Sequence, residues 1–366
     1  MKFKEFAQRL LTGLLQASNQ MVLPLAAIVG SLAIGALLMA VIGINPFWAY
    51  GYLWSGIVGN PYQVGNVLVK TTPLLLTGLG LGLAFRSGVF NIGGEGQIYM
   101  GALAGTAVAI RDWGLPPVLH ISLALLAAFI GGGLWAALPG FLKGRYQVNE
   151  VISTILLNYI AIFIVGYFTR GPMRDNPGAA AALPHTPEVL SSASLPVIWQ
   201  GTKLHAGFVI ALVAAVLMYV LIYHTPLGFK ARTVGYSPEA ARYAGMKVIP
   251  LIVMVMFISG GLAGIAGASE IMGVQRRLRG EFSPGWGYTS IAIALLGRNH
   301  PLGIILAAIL FGALEVGVRN MEALAGVPVT IASVIQALTI FFVAMGAVNP
   351  KGLRAWFSRR EQKSHE

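Results

Sequence analysis

The sequence predicts an all-α integral membrane protein of about ten transmembrane helices, with some segments broken or re-entrant and both termini cytoplasmic. Three observations carry this reading. Of 366 residues, 56% are hydrophobic and 10% are charged, against about 25% charged in a soluble globular protein. Apolar runs reach the roughly 20 residues that a helix needs to cross the hydrocarbon core, among them Leu23–Ile44, Ala206–Tyr223, Pro250–Met272, Pro301–Val318 and Val329–Val348. Lys and Arg fall on one side of the resulting map about twice as often as on the other, which marks that side as cytoplasmic.

In chain order, residues 1–22 are a basic cytoplasmic lead-in carrying Lys2, Lys4 and Arg9. The apolar run behind them is of full span length and lacks a small-residue cleavage site, so they do not read as a removed signal. A transmembrane domain follows over 23–348, with spans near 23–44, 64–85, 95–110, 118–139, 151–169, 206–223, 249–272, 287–297, 301–319 and 329–348. Two of these, 95–110 and 287–297, are short enough to be broken or re-entrant. Irregular backbone at that depth is tolerated only inside protein or around a water-filled cavity. Residues 170–205, with Pro172, Pro177, Pro184, Pro187 and Pro196, form an extended outer loop. Residues 225–247 form a cytoplasmic loop, and 349–366 a basic cytoplasmic tail. Arg276, Arg277 and Arg279 fall on the outer side, where the charge rule disfavours them, at the ends of 249–272 and 287–297.

The formal net charge of +12 belongs to this orientation bias and does not indicate nucleic acid. There is no cysteine, which excludes disulfides and thiolate metal sites. The six histidines show no ligand spacing. Gly260, Gly261, Gly264 and Gly267 in one span, and Gly131 to Gly133 in another, read as close helix packing.

Polar residues interrupt the apolar pattern at Phe85-Arg86-Ser87-Gly88-Val89-Phe90-Asn91-Ile92-Gly93-Gly94-Glu95-Gly96-Gln97. Such groups at membrane depth are costly and mark a pathway, so Asn91, Glu95 and Gln97 are candidates to line it, with Asn158 of the fifth span. The alternatives are a tight connection between spans, or an Arg86–Glu95 pair holding the turn. The glycines lack the G-x-G-x-x-G spacing of a dinucleotide site. Glu150 and Tyr159, with Glu270 and Glu315 near the ends of their spans, read as helix-end or interhelical hydrogen-bonding groups. Lys70 is a charge left inside a span.

The loop His224–Pro250 holds a short helix over 237–245. Ser237 is a good N-cap, Pro238 suits the first helical position, Glu239 favours the positive dipole end and Gly245 is a natural stop. Held at the membrane surface between two spans, it is suited to docking another protein; the alternative is an interfacial helix without a partner. No G-x-x-x-x-G-K-[ST] run occurs, so the chain has no P-loop of its own. Hydrolytic signatures are likewise lacking.

Glu239-Ala240-Ala241 followed by Gly245 resembles the coupling loop of bacterial ABC importer permeases. The lead-in Gly228-Phe229-Lys230-Ala231-Arg232-Thr233-Val234-Gly235 is similar to the branch containing simple-sugar and branched-chain amino-acid permeases. Phe90 to Gln97 looks closest to the permeases of that branch that serve nucleosides with a basic-membrane-lipoprotein-type binding protein. The chain departs from the maltose-type pattern, because Ile249-Pro250 follows the glycine early. The resemblance covers about residues 23 to 350 and implies a multi-pass permease of the bacterial cell membrane. It implies two ATPase subunits that bind the ATP, so that no cofactor belongs to this chain. It also implies a second permease, a different chain, and an extracytoplasmic solute-binding lipoprotein. Ser237, Pro238, Glu239, Ala240, Ala241 and Gly245 would then couple to the ATPase. The expected solute is a nucleoside. The alternatives are a simple sugar or a branched-chain amino acid carried by the same machinery, an ion-coupled secondary carrier, or an assembly subunit without flux.

Overall fold

The computed structural model describes residues 29–175, 184–328 and most of 330–342. The lead-in 1–22, residues 176–183 of the long loop and the tail 349–366 lie outside the described residues. Those described are almost wholly helical: α1 Val29–Val41, α2 Pro46–Val58, α3 Pro61–Arg86, α4 Gly94–Ala109, α5 Pro117–Tyr146, α6 Glu150–Arg170, α7 Gly207–His224, α8 Pro226–Tyr236, α9 Pro238–Tyr243, α10 Val248–Glu270, α11 Trp286–Leu296 and α12 Pro301–Ala325. Six of them, α3, α5, α6, α7, α10 (with the π turn that continues it) and α12, are long and apolar enough to cross a membrane.

Several helices start on the same local device. Asn60, Thr225 and Ser237 each accept a backbone N–H with the side chain, and proline occupies the first turn behind each. Asn45 accepts the Phe47 amide at 2.9 Å in the same way at the start of α2. A side-chain acceptor and a residue without an N–H together remove two of the orphan donors of a helix start. This device produces two helices that a search for spans passes over: α2, and α8 ahead of the expected short helix.

The chain forms two compact units. In the one made by residues 1–56 and 317–366, the Tyr50 hydroxyl donates to the Leu32 carbonyl, and Asn320 donates to the Tyr52 carbonyl at 2.6 Å. In the other, residues 57–316, α10 packs against α3, α4 and α5. Glycine permits this. A β-carbon at Gly264 would run into the Ala128 carbonyl of α5, and one at Gly101 of α4 would run into Gly264. Among the six long helices α3 is the most enclosed, with 89% of an 18-residue apolar stretch buried against 28% for α5 and α6.

Residues 184–205 of the long loop return over the chain as a strap. Thr186, Val189 and Leu195 amides donate to the carbonyls of Leu278, Arg276 and Met272, and Leu190 donates to Ala109. Arg277 pairs with Asp175 at 2.7 Å and with Glu188 at 3.7 Å, so the arginine run that conflicts with the charge rule is built into this strap. The strap ends on His205, 1% exposed, whose Nδ1 accepts the Gly207 amide that opens α7. Burial, reinforced by Arg276, pushes the His205 imidazole down to about 4, which keeps it neutral and able to accept.

Gly264→Val is expected to lower the thermal unfolding midpoint in detergent, by overpacking of about 1–3 kcal/mol or more against fixed backbone. Gly166, where nothing lies within 4 Å of an added β-carbon, should accept alanine without loss. Equal midpoints for the two variants would contradict glycine-mediated packing of α10.

Candidate functional site

The chain reverses between α3 and α4 inside the helix assembly, and the polar residues singled out in the sequence meet there. Asn91, Gln97 and Asn158 are 0% exposed and Glu95 is 2% exposed. The Asn91 amide donates to Gln97 Oε1 at 3.1 Å and to Ser259 Oγ of α10 at 3.0 Å. Its oxygen accepts from Gln97 Nε2 and from the Gly93 amide, both at 2.9 Å. Asn158 of α6 accepts the Gly96 amide at 2.8 Å and donates to the Ile92 carbonyl at 3.0 Å and to the Tyr288 hydroxyl at 3.3 Å. Glu95 Oε2 accepts the Gly287 amide at 2.7 Å, capping the start of α11 from another helix. A carboxylate is favourable there because helix N-terminal amides carry partial positive charge.

The four expected pathway residues therefore form one hydrogen-bonded joint between the α3–α4 turn, α6, α10 and α11. Ser259, Tyr288 and Gly287 complete it, and nothing in their local sequence marks them. Arg86 is not part of it. Its Nε donates to the Asn299 carbonyl at 2.6 Å and its guanidinium lies 5.2 Å from the Tyr223 ring centre, so the alternative Arg86–Glu95 pair does not form.

A second polar cluster joins residues that the sequence reading kept apart. Lys70 Nζ of α3 lies 3.7 Å from Glu270 and 3.9 Å from Glu315, and 5.0 Å over the Trp286 ring. Trp286 Nε1 donates to Glu315 at 3.4 Å. Gln275 donates to Glu270 Oε1 at 3.3 Å and to the Phe282 carbonyl at 3.1 Å. The expectation of helix-end or interhelical groups holds for both residues as interhelical partners, and Glu270 is the last residue of α10; only the placing of Glu315 near a span end changes. Helix α12 runs on to Ala325, which puts Glu315 in its interior, and Glu270 stands where α10 passes into a π turn at Ile271–Gln275. Glu150 does sit at a helix start, paired with Lys143 at 2.8 Å.

The loop 225–247 forms two short helices at right of way between α7 and α10. Ser237 closes α8 and caps α9, accepting the Ala240 amide at 3.1 Å, with Pro238 in the first turn. Ala241 is buried and holds the Met246 amide at 3.0 Å. Gly245 has φ +77, the left-handed conformation that stops a helix and favours glycine. Glu239, Ala240 and Arg242 face outward, and Tyr236 and Tyr243 are 92% and 94% exposed. Gly235, at the end of α8, packs against the backbone of Arg86 and Gly88.

Long apolar helices enclosing a buried polar joint, a charged cluster inside the bundle and a capped pair of surface helices define a multi-pass membrane transport component. Residues 63–344 match the family described as branched-chain amino acid transport system / permease component, and the chain belongs to it. A permease component moves solute and is not an enzyme. The chain is 40% identical over 344 residues to the guanosine ABC transporter permease protein NupP of Bacillus subtilis (strain 168), covering 91% of this chain and 98% of that protein. It is 38% identical to the glucose ABC transporter permease protein TsgB13 of Haloferax volcanii, covering 87% and 86%. With the nucleoside ABC transporter permease protein NupB of Lactococcus lactis subsp. cremoris it shares 32% identity over 90% of this chain and 92% of that protein.

Glu95→Ala should leave the Gly287 amide buried without its acceptor, at a cost of about 1–3 kcal/mol, while Glu95→Gln retains a side-chain oxygen. Thermal unfolding in detergent is expected to rank wild type and Glu95→Gln above Glu95→Ala. Identical midpoints for all three would contradict the capping role.

Proposed function

We propose that this chain is the permease subunit of an ATP-driven importer of nucleosides. The observation that carries the proposal is the 40% identity to a guanosine permease across nearly the full length of both chains, joined by the nucleoside permease from a second organism. The glucose permease relative supports a second reading, import of a simple sugar, and the two readings share a polyhydroxylated solute.

The same family reading supplies the partners. Two ATPase subunits bind and hydrolyse the ATP, a second and different permease chain completes the translocation pathway, and an extracytoplasmic binding lipoprotein delivers solute. The element proposed to meet the ATPase is α9, with Ser237, Pro238, Glu239, Ala240, Ala241 and Gly245. Its support is local: a capped, exposed helix, anchored through Ala241, whose neighbour α8 bears on the end of α3 through Gly235 and Gly88. A displacement of α8 and α9 would bear directly on α3, which carries Lys70. The proposed pathway residues Asn91, Glu95, Gln97 and Asn158 then act by holding α4, α6 and α11 in register. Carboxylates inside the bundle also suit an ion-coupled carrier, but membership of the family and identity to ABC permeases favour the ATP-driven class.

Uptake into proteoliposomes containing the assembled importer tests the function. Labelled guanosine should accumulate only with ATP and be displaced by unlabelled nucleosides. Strong glucose uptake without any nucleoside uptake would replace the nucleoside reading with the sugar reading.

Gly245→Val forces a β-branched residue into positive φ, at a cost of about 1–3 kcal/mol, and Glu239→Lys reverses the charge at the start of α9. Both are expected to reduce ATPase copurification or to uncouple hydrolysis from uptake. Wild-type copurification and wild-type solute-stimulated hydrolysis in both variants would place ATPase docking elsewhere.

A further inference from the structure

We propose that the cavity between the second half of α6 and the loop ahead of α11 is an entry subsite for the cargo, where a nucleoside is held by its base. The inference rests on the import reading above and deepens it by naming residues that meet the solute.

The cavity measures about 460 Å³, and its lining includes Ile162, Phe163, Gly166 and Arg170 of α6 with Arg279 and Glu281 of the loop. Its volume falls within the roughly 300–1,000 Å³ of small-molecule sites. Gly166 marks the same space in another way. It is buried, yet a β-carbon added to it would meet nothing within 4 Å. Gly51, Gly114 and Gly201 have the same freedom but are exposed, so at Gly166 the room is internal.

The loop wall is preformed. The Leu278 carbonyl accepts the Thr186 amide and the Leu278 amide donates to the Thr186 hydroxyl, both at 3.0 Å, and Arg279 bridges to His185. On the other side of Glu281, the buried Phe282 ring packs 4.7 Å from that of Tyr99 in α4. The stretch 279–281 is thus fixed at both ends against the rest of the fold. The α6 wall is continuous with the polar joint. Ile162 and Gly166 follow Asn158 at steps of four residues and share its face of the helix. Gly166 stands about 12 Å along the axis from Asn158, towards the long loop that the count of Lys and Arg assigns to the outside. Solute released on that side meets this cavity before it reaches the joint.

The lining selects the ligand class. Two guanidiniums beside a carboxylate do not suit a bare anion, which Glu281 repels, or a bare cation, which the arginines repel. They suit a neutral ligand whose edge presents both acceptors and donors. A purine nucleoside does so: its N7 and O6 accept from an arginine fork, and its N–H and ribose hydroxyl groups donate to a carboxylate. Its flat face can stack on the Phe163 ring, which is 73% exposed; such stacking is tolerant of base identity. A hexose has the hydroxyl groups but no flat face for Phe163.

The test uses the complete importer in proteoliposomes with one binding protein throughout. Tritiated 8-azidoguanosine, activated by light, is expected to label residues 162–170 or 279–281, and unlabelled guanosine to protect them. Gly166→Leu fills the cavity from a position with room for the side chain. The variant should copurify with the ATPase and the second permease at unchanged yield, lose the label and take up less guanosine. Phe163→Leu is expected to lower guanosine uptake about ten-fold through the lost stack, and Phe163→Trp, which keeps a ring, to restore it. Wild-type guanosine uptake without protected label at these residues, or full label and uptake in Gly166→Leu, overturns the site and leaves the import reading intact. Equal losses in Phe163→Leu and Phe163→Trp, with loss of the second permease from the purified complex, mark a contact between subunits and also overturn it. A wild type that takes up no nucleoside refutes the nucleoside reading, and the site falls with it.

Discussion

A chain that turns inside a membrane protein has no water to complete its hydrogen bonds, so every backbone group of the turn must find a partner within the protein. The reversal between α3 and α4 meets this constraint through side chains. Asn91 holds Gly93, Asn158 holds Gly96 and Ile92, and Glu95 reaches across to Gly287. Remove these acceptors, and the short helices α4 and α11 start on bare amides. With them, α11 can begin in the interior, and its first residue, Trp286, stands beside Lys70 and Glu315. The Lys70 cluster thus depends on this joint for its geometry.

The two polar groups divide the work. In the Asn91–Asn158 joint the amides are paired through both oxygen and nitrogen, which suits a fixed bearing. In the Lys70 cluster the distances are longer, the backbone is broken, and Glu270 Oε2 has no hydrogen-bond partner among the described residues, which suits a place where contacts change. Between them, α3 carries Lys70 in its interior and meets Gly235 of α8 beyond its end. One helix therefore links the surface pair α8 and α9 to the charged cluster without any intermediate loop.

Much of this was legible in the sequence. Span-length apolar runs located the long helices, and Ser237-Pro238 with Gly245 located α9 and its stop. The same acceptor-proline signal at Asn45-Pro46 and Thr225-Pro226 announces α2 and α8, but neither is a span-length apolar run, so a reading led by hydropathy passes over them. Hydropathy also misleads about the interior. Lipid is as apolar as a side-chain core, and the less buried α5 and α6 are more apolar than the enclosed α3. The polar clusters were legible only in part. Asn91, Glu95 and Gln97 stand out because they share one short segment. Lys70 meets Glu270 and Glu315 across three helices, and Glu95 meets Gly287 across 192 residues, and no helical or strand periodicity encodes such pairs.

The central physical claim is that the joint at Asn91, Glu95, Gln97 and Asn158 fixes the starts of α4 and α11, and amide hydrogen exchange of the wild-type protein in lipid nanodiscs tests it most directly. Amides of residues 94–97 and 286–290 should exchange as slowly as those in the middle of α10, and far more slowly than the exposed turn of α9. Exchange of the Gly96 and Gly287 amides at the rate of α9 would show that the joint is open, and would contradict the account.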